Sequence, residues 1–120
     1  MQTRAKFVTK DSGKRVAFKS GMHRDTTEGK PRYDLVIPLD TKEHMLKRWA
    51  ELMERGREKY GQRNWEKASS QEELERFRAS AFRHFIQWFS GEEDEDHAAA
   101  VLFNIQGVEY VKGRLSPPSR

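Results

Sequence analysis

The stretch from residue 70 to residue 90 constrains the fold most, because its apolar residues recur at the spacing of an amphipathic helix. Five apolar side chains form one stripe along such a helix: Leu74, Phe77, Ala81, Phe85 and Trp88. Ser70 and Glu73 stand before them in the order of a capping box, in which each side chain accepts a hydrogen bond from the other residue's backbone. The pattern predicts a helix from Ser70 to about Ser90.

Two further helices are predicted on either side of this stretch. The first begins at Asp40, which would form a capping box with Glu43, and runs to about Gly56 or slightly beyond. Its apolar residues are Met45, Leu46, Trp49, Leu52 and Met53. The last helix covers about 96–112, and Gly113 is its predicted C-cap.

The N-terminal residues favour a small β element rather than a fourth helix. Residues 6–18 contain two short β-prone runs around Gly13, which predicts a hairpin with that glycine in the turn. Residues 31–38 are predicted to be extended up to Pro38. The expected fold is all-α: a compact helical bundle with a small N-terminal β-hairpin. One domain is expected over residues 1–120, with 1–20 as a hairpin or arm and 114–120 as a tail.

Composition excludes several classes of function. The chain has no cysteine, which excludes disulfides, thiolate nucleophiles and zinc–cysteine sites. No apolar run has the length of a membrane helix and the N-terminus lacks a secretion signal, so we expect a cytosolic protein without a membrane partner. Only 35% of the 120 residues are hydrophobic. We therefore expect a homo-oligomer, a dimer or a tetramer, in which a second copy completes the core.

Three carboxylates on the first helix are candidates for metal binding. Glu51, Glu54 and Glu58 are spaced i, i+3 and i+7, which places them on one stripe if the helix continues through Glu58. Magnesium and manganese bind carboxylate oxygens that converge in this way. The alternative is a solvated face, in which Lys47 and Arg55 pair with Glu51.

The polar residues on the two later helices can each be interpreted as structural or as ligand-binding. His97 and Asn104 lie on one stripe of a nearly apolar helix, where either a core hydrogen bond or a ligand pocket would satisfy them. His84 borders the apolar stripe of the middle helix, a position in which a histidine more often has a structural role. Arg83 is either an ion-pair partner or a phosphate clamp.

Residues 58–65 contain groups that could recognise a nucleobase. An aromatic ring can stack on a base, and an asparagine can bind a base edge with two hydrogen bonds. The residues concerned are Lys59, Tyr60, Asn64 and Trp65. Trp65 could equally be a hydrophobic plug over the bundle.

Three stretches taken in order resemble a known family. These are "RDTTEGKPRYDLVIP" (24–38), "ERGREKYGQRNWEK" (54–67) and "RASAFRHFIQWFSGEEDEDHAAAVLFN" (78–104). They resemble the phage-encoded dATP/dGTP diphosphohydrolases, which belong to the MazG-like all-α nucleoside triphosphate pyrophosphohydrolases. The resemblance covers about residues 21–113. It implies an oligomeric enzyme that uses Mg²⁺ or Mn²⁺ and cleaves a purine deoxynucleoside triphosphate to the monophosphate and pyrophosphate.

The resemblance also implies roles for individual residues. The superfamily places its metal ligands as ExxE on one helix and ExxD on a later one. Glu51 and Glu54 fit the first pattern, whereas Glu93 and Asp96 fit the second by spacing but precede the helix. Glu58 joins them as a metal ligand. Either Glu54 or Glu58 would orient or deprotonate the attacking water.

The remaining implied roles concern the substrate. Basic residues would neutralise the phosphates: Lys30, Arg32, Lys59 and Arg83. Asp34 would fix a neighbouring residue or the sugar, and Asn64 and Trp65 would hold the base. Tyr60, His84, His97 and Asn104 complete the predicted substrate site.

Two other functions compete with this one. The basic N-terminal third favours a small phage nucleic-acid-binding protein. Against it, no helix has a continuous basic face, and the acidic residues 91–97 would repel a phosphate backbone, so we expect no nucleic-acid partner. The other competing function is a helical bundle that only binds other proteins, and such a protein would have no metal-dependent activity.

Overall fold

The computed structural model describes residues 7–115. Its helices are α1 (Met45–Tyr60), α2 (Gln71–Phe89) and α3 (His97–Leu115). Two short strands, β1 (Arg15–Ala17) and β2 (His23–Asp25), pair antiparallel with Val16 opposite Arg24. Short 3-10 turns cover Tyr33–Val36 and Asn64–Lys67. The predicted helical fold with a small N-terminal hairpin is confirmed.

The chain divides between Asp34 and Leu35 into two units, each with its own internal contacts. The hairpin and the residues up to Asp34 form the first unit, and the three helices belong to the second. The expectation of one domain over residues 1–120 stays a prediction. Among the described residues, none of the helices is both long enough and apolar enough to cross a bilayer.

The hairpin turn lies later in the chain than predicted. Its strands are joined by residues 18–22, where the Phe18 amide donates to the Met22 carbonyl at 2.9 Å. Gly21 supplies the positive φ of 92° that this turn requires. Gly13 instead closes a local turn in which its amide donates to Asp11 Oδ1 at 2.9 Å. The predicted turn at Gly13 is therefore wrong.

The segment 31–38 is not extended, which corrects a second prediction. Tyr33–Val36 form a 3-10 turn. Arg32 and Asp34 flank Tyr33, and the guanidinium donates to both carboxylate oxygens at 2.8 and 2.7 Å. The alternating apolar residues of the segment did not reveal this turn.

The capping boxes had different outcomes. At α2 the predicted box is confirmed, because the Glu73 amide donates to Ser70 Oγ at 3.2 Å and the Ser70 amide donates to Glu73 Oε1 at 3.0 Å. At α1 the predicted box is wrong. The N-cap is His44, whose Nδ1 accepts from the Lys47 amide at 3.2 Å, and Glu43 pairs with the Lys47 side chain.

Two other helix ends differ from their predicted positions. α1 continues through Glu58 to Tyr60, so the condition for the carboxylate stripe is met. α3 continues past Gly113 to Leu115, so the predicted C-cap at Gly113 is wrong. Its first turn is capped by Asp96, whose Oδ1 accepts from the Ala99 amide at 3.1 Å.

The core lies mainly between α2 and α3. Leu74 and Val111 are buried together with Ala68, and Phe77 packs against them. α1 has no fully buried residue, so it covers the N-terminal half of α3 only partly. This incomplete cover leaves a cleft beside α3.

Candidate active site

Two adjoining cavities lie between α1 and α3. The first, of about 440 Å³, is lined by acidic and imidazole groups among others, and the second, of about 350 Å³, is lined by basic and aromatic ones. Both are lined by Leu52, Arg55, Glu95 and Phe103, so they share a wall. We refer to the two together as the α1–α3 cleft.

The acidic end of the cleft is built by the connection from α2 to α3. Asp94, Glu95 and Asp96 line it, together with His84 from α2 and Asn104 from α3. His84 and Asn104 are buried. Asn104 donates through Nδ2 to the Ala100 carbonyl at 2.8 Å, a bond within its own helix. Its side chain thus has a core hydrogen bond and also borders the cleft.

A chain of hydrogen bonds joins two histidines to the acidic connection. The His84 and His97 Nδ1 atoms lie 2.8 Å apart, and His97 Nε2 lies 2.7 Å from Asp94 Oδ1. Arg83 Nη2 approaches His84 Nε2 at 3.4 Å. Burial and the neighbouring Arg83 charge lower the pKa of His84, whereas the hydrogen bond to His97 lowers the pKa of Asp94. The two shifts favour the neutral form of His84 and the ionised form of Asp94, with His97 between them.

Asp96, which was predicted to be a metal ligand, forms hydrogen bonds with an arginine instead of standing free. Arg48 of α1 donates to both of its oxygens at 2.9 and 2.7 Å. This hydrogen-bonded pair lowers the pKa of Asp96. Its Oδ1 also caps α3. Asp96 thus joins α1 to the start of α3.

The structure places the predicted carboxylates of α1 on the surface. Glu51, Glu54 and Glu58 are exposed, and Glu54 forms an ion pair with Arg57. Glu93 is exposed on the connection. Their metal and catalytic roles stay predictions.

A different group of possible ligands comes together in the part of the chain that the structure describes. Glu92, Asp94 and His97 each offer one atom, and these atoms lie within 4.8 Å of one another. Sequence reasoning assigned none of the three as a metal ligand and considered His97 only for a core hydrogen bond or a ligand pocket. It relied on i, i+3 spacing, which has no meaning in the non-helical connection 90–96.

The basic end of the cleft contains the predicted base-binding residues. Lys59, Tyr60, Asn64 and Trp65 all line it. The Trp65 ring meets Tyr110 edge-on with centroids 5.1 Å apart and Phe103 at 6.5 Å. Trp65 is therefore packed on α3, as a plug would be, and also forms part of the cavity wall.

Sequence reasoning missed two residues of the shared wall. Arg55 was interpreted as a partner of Glu51, and Glu95 was not assigned a role. Arg55 lies near enough to Asp96 that its charge contributes to the lowered pKa of that carboxyl. Only the packing of α1 on α3 brings these side chains into one cleft, because they are 40 positions apart in the sequence.

Three predicted substrate residues lie in the first unit. Lys30, Arg32 and Asp34 are exposed. Arg32 and Asp34 bind each other, and the role of Asp34 toward the substrate stays a prediction. The roles of Lys30 and Arg32 toward phosphates stay predictions.

Comparison with protein families identifies the chain. The family model described as dATP/dGTP diphosphohydrolase, N-terminal, matches residues 20–111, a range that contains every candidate residue named above. The chain belongs to the dATP/dGTP diphosphohydrolase family. It is a pyrophosphohydrolase that acts on acid anhydrides, as the resemblance implied. Comparisons with curated proteins and with solved structures found no match.

Proposed function

We propose that this diphosphohydrolase cleaves dGTP and dATP between the α and β phosphates in the α1–α3 cleft, with Mg²⁺ or Mn²⁺ as cofactor. The observation that supports this most is the division of the cleft. Acidic and imidazole groups line one cavity, and basic and aromatic groups line the adjoining one. A nucleoside triphosphate needs both kinds of surface. One surface binds a metal-coordinated phosphate, and the other neutralises the remaining phosphate charge and holds the base.

The basic end provides groups for the substrate. Arg55 and Lys59 carry positive charge beside the cavity, which suits the phosphates. Tyr60 and Trp65 offer aromatic surface for a purine, and Asn64 offers an amide for its edge. The resemblance supports further phosphate contacts by Lys30, Arg32 and Arg83.

A group of possible ligands beside the acidic end fits a divalent ion, and of its three residues Asp94 lines the cavity. The donor set of Glu92, Asp94 and His97 consists of two carboxylate oxygens and one imidazole nitrogen, all of which bind such ions. A bound ion would polarise the phosphate and lower the pKa of water. Glu95 lines both cavities, which supports it as the group that accepts the proton of the attacking water. Glu54 and Glu58 are alternative bases on the basis of the resemblance.

The setting is inferred from the substrate. Deoxynucleoside triphosphates are made and used in the cytoplasm, where we place the enzyme. The resemblance to phage-encoded members supports a role in the nucleotide pool of an infected cell. A homo-oligomer is proposed because α2 presents apolar side chains to solvent.

A panel of deoxynucleoside triphosphates with Mn²⁺ tests the function. We expect dGTP and dATP to give the monophosphate and pyrophosphate, and EDTA to stop the reaction. Glu95→Gln should lower kcat by roughly 10²–10⁴, the usual contribution of a positioned base. Glu109→Gln, an exposed carboxylate that pairs with Lys112, is the matched control and should retain activity. Inorganic phosphate as the product, or no loss in Glu95→Gln, would contradict the assignment.

A further inference from the structure

The segment that joins α1 to α2, residues 61–70, places Asn64 and Trp65 in the wall of the basic cavity. Its 3-10 turn, Asn64–Lys67, is closed by backbone hydrogen bonds of 3.1 and 3.3 Å. The hydrogen bonds of a 3-10 turn have poorer geometry than those of an α-helix. Arg63, before the turn, has a left-handed φ of 55°, which a residue with a Cβ keeps only where its surroundings hold it. The turn therefore depends on contacts from outside the segment.

α3 supplies such contacts through two side chains near its C-terminal end. Tyr110 Oη and Arg114 Nη1 each donate to the Glu66 carbonyl at 2.7 Å. Arg114 Nη1 also donates to Tyr110 Oη at 3.1 Å, and the guanidinium lies 5.6 Å from the centre of the Tyr110 ring. Because a carbonyl oxygen has two lone pairs, it accepts both bonds at once, and each donor supports the other. We call these two residues the Tyr110–Arg114 anchor.

The position of the Trp65 ring depends on this anchor. Trp65 directly precedes Glu66, and its ring meets the Tyr110 ring edge-on with centroids 5.1 Å apart. The indole lines the basic cavity of about 350 Å³ and also a third cavity, of about 410 Å³, which Trp49 lines as well. Trp65 is thus a wall common to two cavities. A displacement of its ring would enlarge one cavity at the expense of the other.

We infer that Tyr110 and Arg114 are positioning residues that hold Trp65 as the wall of the base-binding cavity, and that they thereby increase the affinity for the purine. Stacking on a base requires the close approach of two ring faces, so a displaced indole binds the base less well. Neither residue lines the basic cavity, so both act through Trp65. The effect on the purine rests on the proposed function, which assigns the base to Trp65 and Asn64.

Steady-state kinetics with dGTP test this role. Tyr110→Phe keeps the ring beside Trp65 and removes the hydroxyl, whereas Arg114→Met keeps the aliphatic stem and removes the donors. Since both donors bind one carbonyl, each single variant should raise KM by roughly two- to fourfold and the double variant by about tenfold, within the usual range for one hydrogen bond. Because only binding is affected, kcat should stay nearly unchanged. Arg114→Lys, which can still donate to the carbonyl, should restore most of the affinity.

Two controls separate the Trp65 wall from the rest of the cleft. Lys112→Met removes a positive charge from the same end of α3, but Lys112 pairs with Glu109, so KM should not change. Inorganic tripolyphosphate offers phosphates without a base, so it should inhibit dGTP hydrolysis as strongly in the double variant as in the unchanged chain. An unchanged KM in the double variant, or an equal weakening of tripolyphosphate and dGTP, would overturn the inference.

The mobility of Trp65 is measured independently of activity. Its indole signal in a ¹H–¹⁵N spectrum is identified by its loss in Trp65→Phe. In the double variant the heteronuclear NOE of this signal should fall, whereas that of Trp88 on α2 should stay the same. An unchanged NOE for Trp65 would refute the anchor. If the unchanged chain hydrolysed no deoxynucleoside triphosphate, the proposed function would fail, and the indole signal would still decide whether the anchor holds Trp65.

Discussion

At the scale of single residues, Gly107 decides how closely α2 and α3 approach each other. A Cβ atom at this position would lie 2.5 Å from the Phe77 ring, well inside contact distance. Phe77 is packed against the buried core and against Phe103, so it has little freedom to move. We expect Gly107→Ala to destabilise the fold by about 1–3 kcal/mol, the usual cost of overpacking. Thermal or urea unfolding measures it.

Gly113 gives the matched control for this prediction. It belongs to the same helix, and a Cβ there meets nothing within 4 Å. Gly113→Ala should be neutral or stabilising by up to about 1 kcal/mol, because alanine favours the helix. If both variants lost the same stability, the Phe77 contact would not be the cause.

At the scale of the elements, the Arg48–Asp96 pair holds α1 against the start of α3. α1 buries no residue completely, and this pair of hydrogen bonds adds a directed link to its partly buried apolar contacts. Asp96→Asn keeps a good N-cap for α3 but removes the charge. We expect faster hydrogen exchange in α1 with α2 and α3 unchanged, and a loss of about 1 kcal/mol. Exchange mass spectrometry measures this, and uniform acceleration in all three helices would contradict it.

The same pair predicts a dependence on pH. The pKa of Asp96 is lowered in the folded protein, mainly by Arg48. Its stabilising contribution is therefore complete above the unfolded pKa of about 3.9 and is lost as pH falls through the lower folded value. Between pH 5 and pH 2 the unchanged chain should lose more stability than Asp96→Asn. Parallel acid unfolding curves for the two would count against the pair.

Elements whose signals are local could be predicted from the sequence, and elements that depend on distant contacts could not. Ser70 and Glu73 form the predicted box because both partners lie within one turn. The same pattern at Asp40 fails, since Glu43 pairs with Lys47 and His44 becomes the cap. The site follows this rule too. Trp65 and Lys59 were predicted as neighbours within 58–65, whereas Arg55 and Glu95 meet only after α1 packs on α3.

At the scale of the whole molecule, α2 has an apolar stripe that no described residue covers fully, and it shares Phe85 with the stripe that predicted the helix. Phe82, Phe85, Ile86 and Phe89 recur at i, i+3, i+4 and i+7 and are exposed. A groove continues this surface onto α3 at Val101 and Ile105. On α2, Trp88 is 53% exposed, whereas Trp49 of α1 is half-buried. The stripe has the spacing of a helix that packs on another helix.

This stripe leads us to expect a dimer or tetramer that associates through α2. Phe89 is 75% exposed, so Phe89→Glu should leave the fold intact while placing a charge inside the interface, which opposes association. Light scattering at micromolar concentration should give the mass of two or four chains for the unchanged protein and a shift toward one chain for the variant. Leu39→Glu, at a position 98% exposed outside the helices, adds the same charge away from α2 and should leave the mass unchanged. A single-chain mass for the unchanged protein, with full activity on dGTP, would show that α2 faces solvent in the working enzyme.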